Sequence, residues 1–172
     1  MDNQKILQNN KGLSLIEIII VLAIMSIIGG AFLLTTAVAT DKHVSSCGEK
    51  MLSSLEQTRN LAMGKQTGYI EISKPSASDS VYIQMYLDGY GAGHEYGDRV
   101  AIGHQGLTVE YLVEGASDYA SLSGGTITLE FSRSNGSLIT TPAIKKIRIT
   151  NGRRTYIITI DKFTGRVSGE KS

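Results

Sequence analysis

Glu17 is the residue whose type and position most clearly indicate a function. It is the only charged side chain between Lys11 and Asp41, and 20 of the 27 residues from Leu13 to Ala39 are hydrophobic. A carboxylate inside an apolar helix costs on the order of a few kcal/mol or more unless a positive group pairs with it. We therefore expect Glu17 to pair with a cation as part of its function. The alternative is a glutamate at a membrane surface whose side chain extends to water.

The other reactive side chains form no familiar catalytic or metal-binding set. Cys47 is the only cysteine, and His43, His94 and His104 are scattered without metal-ligand spacing. The motifs HExxH, CxxC, GxSxG and the phosphate-binding P-loop are all missing from the sequence. We therefore predict no catalytic residues, no metal, no cofactor and no enzymatic activity, and we expect Cys47 to be a small core residue.

The charge and hydropathy of the whole chain exclude some classes of protein. Among 172 residues there are 17 Lys plus Arg and 16 Asp plus Glu, and 41% of the residues are hydrophobic. Such a chain is too apolar to be disordered and too polar to cross a membrane many times. The concentration of apolar residues near the N-terminus also argues against a purely cytosolic enzyme.

The apolar segment over residues 13–39 is long enough to cross a bilayer, since about 20 apolar residues suffice. It follows a short polar leader, residues 1–12, in which Lys5 and Lys11 favour the cytoplasmic side. We therefore expect a transmembrane helix, with the C-terminal bulk of the chain outside the cytoplasm. A cleaved secretory signal, with the cut at residues 37–39, is the alternative.

The junction between leader and apolar segment reads Lys-Gly-Leu-Ser-Leu-Ile-Glu over residues 11–17. This motif resembles the class III signal of type IV pilins and type II secretion pseudopilins. The resemblance implies a processing site at Lys11, Gly12 and Leu13, where prepilin peptidase cuts after Gly12 and methylates the new amino group of Leu13. It also implies that Glu17 neutralises the N-terminal amine of a neighbouring subunit during filament assembly.

Beyond the apolar segment, hydrophobic and small residues recur at steps of three or four positions. This periodicity predicts an amphipathic helix over residues 40–66 that continues the first one and buries one stripe. The predicted stripe consists of Val44, Cys47, Met51, Leu55, Thr58 and Ala62.

The rest of the chain, residues 67–172, predicts a β-rich globular domain. Six short segments alternate in hydropathy with period two, as antiparallel strands do. They cover residues 69–73, 81–87, 107–113, 127–131, 144–150 and 154–160. Asn135-Gly136, Asn151-Gly152 and residues 163–165 predict chain reversals between strands. The predicted fold class is α+β, a long N-terminal helix with a membrane-spanning and an amphipathic half, packed on an antiparallel β-sheet domain.

Three further stretches resemble the H-type minor pseudopilins and their type IV pilus counterparts. They are LEQTRNLAM from Leu55 to Met63, the pattern from Phe131 to Gly136, and the Thr-Gly-Arg-Val run of residues 164–167. The paired C-terminal cysteines of many major type IVa pilins are missing here. The resemblance therefore favours a minor pilin or pseudopilin over a major pilin.

Residues 88–106 contain six glycines between polar and aromatic side chains. Carboxylates and carbonyls on a flexible loop suit calcium, but the spacing does not match the EF-hand pattern. We expect an exposed, mobile loop that contacts a neighbouring subunit or another partner.

Charge is segregated along the second half of the chain. Residues 67–139 hold nine acidic and three basic side chains, whereas residues 140–172 hold two acidic and eight basic ones. The basic residues are Lys145, Lys146, Arg148, Arg153, Arg154, Lys162, Arg166 and Lys171. Six of them are candidates for a contact with nucleic acid or with another subunit: Lys145, Lys146, Arg148, Arg153, Arg154 and Arg166. Three interpretations remain open: compensation within the chain, complementary contacts between stacked subunits, and DNA binding through phosphate contacts, which need clustered cations.

Together these observations predict a minor subunit of a type II secretion pseudopilus or a type IV pilus. It would be a single-pass inner-membrane protein whose C-terminal domain lies outside the cytoplasm, and part of the pilus or pseudopilus after assembly. The implied partners are other pilins or pseudopilins, prepilin peptidase, the inner-membrane assembly platform and the lipid bilayer. One alternative is a DNA-binding minor pilin of a competence system, and another is an unprocessed membrane protein with an external β-domain.

Overall fold

The computed structural model describes residues 14–64, 66–78, 80–104 and 106–172, with only the backbone described for residues 30–40. The helix α1 spans Leu15–Gly64. The strands of the described part are β1 Gly68–Ser73, β2 Tyr82–Leu87, β3 Glu95–Ala101, β4 Thr108–Val113, β5 Ala120–Ser121, β6 Thr126–Phe131, β7 Ile144–Thr150, β8 Thr155–Ile160 and β9 Val167–Lys171. The chain divides into two compact units, Met1–Val38 and Ala39–Ser172.

In the second unit, α1 buries the stripe that the periodicity predicts. All six predicted positions, from Val44 to Ala62, are at most 1% exposed. Thr58 is tolerated in this stripe because its hydroxyl donates a hydrogen bond to the Ser54 carbonyl, 2.8 Å away. The amphipathic helix is therefore confirmed, and so is the prediction that Cys47 is a core residue.

The strands of the second unit form two antiparallel sheets. The four-stranded sheet has the order β3-β2-β1-β6, and the five-stranded sheet has the order β5-β4-β7-β8-β9. Alternate residues of the inner strands are buried with the helical stripe in one hydrophobic core, among them Ile70, Phe131, Ile147 and Ile158. The α+β fold class is confirmed, with two sheets rather than one beside the helix.

All six predicted strands are present, with ends that differ by at most one residue. The prediction of a loop over residues 88–106 is wrong for Glu95–Ala101, which form β3 at the edge of the four-stranded sheet. Every residue of β3 is exposed, so neither face leaves an alternating pattern in the sequence. The edge strand β9 also leaves no alternating pattern, because Val167 is its only partly buried residue, and β5 has only two residues.

The predicted reversals are confirmed. Gly152 has a φ of 83° in the turn between β7 and β8, where the Asn151 side-chain oxygen accepts the N–H groups of Arg153 and Arg154. The turn of residues 163–165 joins β8 to β9. The turn at Asn135-Gly136 returns the chain so that Leu138 pairs with Phe131.

The end of α1 is held by two of these turns. Arg59 Nε donates a hydrogen bond to the Thr164 carbonyl at 3.0 Å. A Cβ at Gly136 would lie 2.9 Å from Met63, and a Cβ at Gly165 would collide with the Gly136 carbonyl. The glycines of the late sequence patterns are therefore required where two turns and the helix approach closely.

Candidate assembly site

The predicted processing site, Lys11, Gly12 and Leu13, lies outside the described residues. The description begins at Ser14, which caps the first turn of α1. The Ser14 hydroxyl accepts the Ile16 N–H at 3.3 Å, and the Glu17 carboxylate accepts the Ser14 N–H at 3.0 Å. We call this arrangement a capping box, although the Ser14 hydroxyl accepts the N–H of the second helical residue and not that of Glu17, the third.

Glu17 therefore has a local role that the sequence analysis missed. The signal was present in the sequence, because Ser14-Leu15-Ile16-Glu17 has the S-x-x-E spacing of a capping box. The side chain of Glu17 is exposed, and the carboxylate accepts this one N–H through Oε2. A carboxylate has room for several further hydrogen bonds, so Glu17 keeps acceptor capacity for a positive group from another molecule.

The apolar residues that follow Glu17 are exposed on all sides of α1. Every described side chain from residue 14 to residue 29 is exposed, and the large hydrophobic ones among them range from 48% exposure at Ile18 to 76% at Leu15. A helix that is apolar all round requires apolar surroundings. Within the described ranges, no helix is long and apolar enough to span a membrane.

Cys47 is unsuited to act as a nucleophile. Burial among apolar side chains raises the pKa of its thiol to about 12, and the nearby Lys50 and Lys74 only partly oppose that shift. The reactive form of cysteine is the thiolate, which is scarce at neutral pH when the pKa is this high. In the described part of the chain, no three His, Cys, Asp or Glu side chains lie close enough together to hold a metal ion.

Four of the eight basic residues in the range 140–172 form ion pairs within the chain, and two of the four, Arg148 and Arg154, belong to the predicted contact set. Arg148 Nη2 lies 2.6 Å from Glu110 Oε2 across the β4-β7 pair, and its guanidinium stacks over the Tyr119 ring at 4.0 Å. The other three pairs are Arg154 with Asp41 at 3.6 Å, Lys162 with Glu114 at 2.6 Å and Lys171 with Glu49 at 2.7 Å. These contacts agree with charge compensation within the chain.

The remaining four, Lys145, Lys146, Arg153 and Arg166, form no ion pair with any described residue. Lys145 and Lys146 lie where the register between β4 and β7 shifts by one residue. This bulge leaves Lys145 exposed while Ile144 and Ile147 both point into the core. A contact of these cations with DNA or with another subunit stays a prediction.

The structure also brings together tyrosines that the sequence analysis did not select. Tyr69, Tyr86 and Tyr90 meet on the outer face of the four-stranded sheet, where the Tyr90 hydroxyl donates to Glu71 at 2.5 Å. This hydrogen bond is the main reason that the pKa of Tyr90 is raised. Alternation in β2 could have placed Tyr86 on the outer face, but the position of Tyr90 depends on the path of the following loop.

Comparisons with known proteins bear on the N-terminal segment. Residues 7–33 match the family model described as the prokaryotic N-terminal methylation motif. No curated protein and no solved structure matches the chain. The matched motif supports a pilin-type or pseudopilin-type subunit, a kind of protein that is generally structural rather than enzymatic.

Proposed function

We propose that this chain is a minor pilin or pseudopilin, cut by prepilin peptidase after Gly12, methylated at Leu13 and assembled through its N-terminal helix. The observation that carries the proposal is the exposed apolar start of α1, which lies within the matched motif, residues 7–33. Charge inside that apolar stretch is confined to Glu17.

The hydrophobic effect is the reason that this helix must associate with something. Apolar surface removed from water contributes about 25 cal/mol per Å². Side chains such as Leu15, Met25 and Ile27 are 65% to 76% exposed, so the first unit gains large stabilisation from an apolar environment. Lipid provides it before assembly, and the helices of neighbouring subunits provide it in the filament.

Glu17 restricts which molecules can associate with this helix, because its carboxylate requires a positive partner. Its carboxylate is exposed and already oriented by the capping box with Ser14. In an apolar environment it requires a positive partner, because an unpaired charge there is costly. The N-terminal ammonium of a neighbouring processed subunit satisfies this requirement without adding another charged side chain.

The proposed domain organisation follows from this mechanism. Residues 1–12 are the leader, residues 13–39 the transmembrane and assembly helix, residues 40–66 its amphipathic continuation and residues 67–172 the globular domain. Before assembly the chain is a single-pass inner-membrane protein with the globular domain outside the cytoplasm. Its partners are prepilin peptidase, the assembly platform and other pilins or pseudopilins.

An H-type minor subunit is the more specific form of the proposal. The support is the packing of Gly136 and Gly165 against the end of α1, which gives the late sequence patterns a structural reason. Cys47 is the single cysteine and is buried in the core. The chain therefore cannot form the C-terminal disulfide that the paired cysteines of many major type IVa pilins allow.

The first test is mass spectrometry of the N-terminal peptide from the native membrane or filament fraction. We expect a peptide that starts at N-methylated Leu13. A mature protein that retains Met1 would mean that prepilin peptidase does not cut the chain, which would then be a membrane-anchored protein only. A start near residue 40 would instead mean a secreted domain, and either result would overturn the proposal.

The second test addresses assembly. Glu17→Ala should leave membrane insertion intact but strongly reduce incorporation into filaments, because the N-terminal ammonium of the neighbouring subunit loses its negative partner. Incorporation is measured as the ratio of the chain in sheared filaments to the chain in membranes. Unchanged incorporation of the variant would remove Glu17 from the assembly mechanism.

A further inference from the structure

The outer side of strand β9 is a surface that the proposed helix assembly does not use. β9 ends the five-stranded sheet, where it pairs with β8 and no other described strand covers its second side. Its residues from Ser168 to Lys171 are exposed, and Val167 is partly buried. The unpaired side of a strand presents backbone N–H and C=O groups that can pair with another chain.

The register of β9 with β8 shows which backbone groups point outward. Thr155 and Ser172, at the end of this ladder, exchange two backbone hydrogen bonds of 3.0 and 2.9 Å. Bonded and non-bonded pairs alternate along an antiparallel ladder. Val167, Gly169 and Lys171 therefore occupy the non-bonded positions, and their N–H and C=O groups point away from β8. We call this outward side of the three residues the β9 edge; no described backbone group bonds to it.

The other sheet edges are less open to strand pairing. At the edge formed by β3 the register shifts around Gln84, whose side-chain Nε2 donates to the Gly97 carbonyl at 3.0 Å. Such an irregularity bends a strand away from regular pairing. Beside β6, the Ile139 N–H already donates to the Glu130 carbonyl at 2.8 Å, and β5 has only two residues. Among the described strands, β9 therefore offers the longest regular edge.

The polar side of α1 lies beside β9 and completes the surface. Lys171 Nζ is 2.7 Å from Glu49 Oε1, and a pocket of about 210 Å³ lies between the start of β9 and the helix. The pocket is lined by Glu56, Arg59, Asn60, Arg166 and Val167. From the pocket an exposed polar row continues along α1, formed by Ser53, Glu56, Gln57 and Asn60. A strand added to the β9 edge would therefore meet polar groups of the helix rather than an apolar face.

The pocket at the start of β9 favours an acidic side chain. Its lining holds two guanidinium groups, Arg59 and Arg166, against one carboxylate, Glu56, and no described residue forms an ion pair with any of them. Outside the lining, hydrogen bonds from the Thr164 N–H and hydroxyl are the main reasons that the pKa of Asp161 is lowered, and Arg166 is the smallest. Asp161 therefore offsets the charge of Arg166 only in part. Guanidinium groups are well suited to bind a carboxylate.

We propose that the β9 edge pairs with an extended segment of a different pilin-type subunit, and that an acidic side chain of this segment binds Arg166. Backbone hydrogen bonds to Val167, Gly169 and Lys171 supply affinity, and the pocket beside Arg166 supplies specificity, as in other cases of strand addition. The partner is a different chain because a minor subunit is surrounded mostly by other subunits. The inference rests on the proposed function, since it assigns one contact through which the globular domain joins the filament.

Photo-cross-linking from position 170 tests the contact in the full chain. The Glu170 side chain is exposed and its backbone bonds to β8, so photoreactive benzoylphenylalanine can replace it without blocking the β9 edge. Membrane and filament fractions are irradiated, and linked peptides are identified by mass spectrometry. We expect links to one short segment of another protein that carries its own N-terminal methylation motif. Links only to a second copy of this chain, links only to proteins without the motif, or no links at all would overturn the proposal.

A second probe distinguishes strand pairing from other contacts. Benzoylphenylalanine at Ser168, two residues from the first probe and also exposed, should link to the same partner segment about two residues away. Paired strands advance together along the ladder, whereas a helix that crosses β9 would not follow it residue by residue. Links from the two probes to unrelated parts of the partner would contradict strand addition.

Lys171→Pro tests the backbone pairing itself. Proline removes the outward N–H of position 171 and is tolerated on an edge strand whose N–H faces away from the sheet. Loss of one backbone hydrogen bond should lower the cross-linking yield by up to about tenfold. Lys171→Ala is the matched control, since it also breaks the ion pair with Glu49 but keeps the N–H. Urea denaturation shows that both variants fold, and equal yields from folded variants would contradict backbone pairing.

Arg166→Glu tests the acidic side chain and does not depend on the proline variant. It should lower the cross-linking yield by about tenfold, because it places like charges together. Arg153→Glu is the matched control, since Arg153 is exposed, has no ion pair in the described part and lies in the turn between β7 and β8. Replacing the acidic residue of the linked partner segment by arginine should restore the yield with Arg166→Glu. An equal loss in both variants, or no recovery, would overturn the contact at Arg166.

Filament incorporation is measured in the same samples so that the two proposals fail separately. Incorporation of the wild-type chain with no specific cross-link would overturn the contact at the β9 edge and leave the filament function standing. A specific cross-link without any incorporation of the wild-type chain would support the contact and overturn the filament function.

Discussion

The ring of Tyr156 lies directly against Gly48, which leaves no room for a side chain on that turn of α1. A Cβ at position 48 would be 2.8 Å from Cδ2 of the ring and closer still to two other ring atoms. The hydroxyl end of the same side chain leaves no room for a Cβ at Gly169 of β9. Tyr156 of β8 thus packs the helix against the five-stranded sheet at Gly48, and its side chain extends along the sheet to Gly169.

Gly48→Ala should therefore destabilise the second unit. Overpacking a core typically costs about 1–3 kcal/mol, and the better helix propensity of alanine offsets up to about 1 kcal/mol of that. The free energy of unfolding can be followed by tyrosine fluorescence in urea, since the chain has no tryptophan. Gly64→Ala is the control, because a Cβ there meets no atom within 4 Å, and it should be neutral or slightly stabilising.

Cys47 predicts how stability changes at alkaline pH. Burial raises the pKa of its thiol from 9.0 to about 12, so the unfolded chain loses this proton first as pH rises. The unfolded state then binds fewer protons, and stability falls above pH 9 by about 1.4 kcal/mol per pH unit. Urea denaturation at pH 8, 9 and 10 should show this fall in the wild type and a smaller one in Cys47→Ala. Parallel pH profiles would contradict the burial argument.

The capping box allows the two roles of Glu17 to be separated. Ser14→Ala removes one cap and should cost about 1 kcal/mol of helix stability while filament incorporation continues. Glu17→Gln keeps an oxygen that accepts the Ser14 N–H but removes the charge, so the helix start should persist and incorporation should fall. Hydrogen exchange at the amide of Ile16 reports on the helix start. If Glu17→Gln assembles normally, assembly does not use the charge.

Gly12→Val should block processing, because a branched side chain does not fit where the peptidase requires glycine. The expected product is a membrane-bound precursor that keeps Met1, detected by mass spectrometry of the intact chain. Gly29→Ala, in the apolar segment that follows the leader, is the control, since a Cβ at Gly29 meets no atom within 4 Å. Normal maturation of Gly12→Val would contradict the assignment of the cut.

Several features of this protein could be predicted from the sequence because they depend on local order. The stripe from Val44 to Ala62 follows from helical periodicity, and strands such as β6 and β8 follow from alternation, since each has one buried face. The motif of residues 11–17 could be identified for a related reason. Its resemblance to the class III signal depends only on residue types at fixed positions along the chain. The capping box of Ser14 and Glu17 likewise depends on a local spacing, Ser14-Leu15-Ile16-Glu17.

Other features were decided only by the tertiary structure. Edge strand β3 leaves no alternating signal, because all of its residues are exposed. Which cations are paired depends on strand register, as when β4 and β7 bring Glu110 opposite Arg148. The cluster of Tyr69, Tyr86 and Tyr90 and the contact of Gly48 with Tyr156 each join residues that are not neighbours in the chain. A local pattern records which face of an element is buried, but not which distant residue will lie against it.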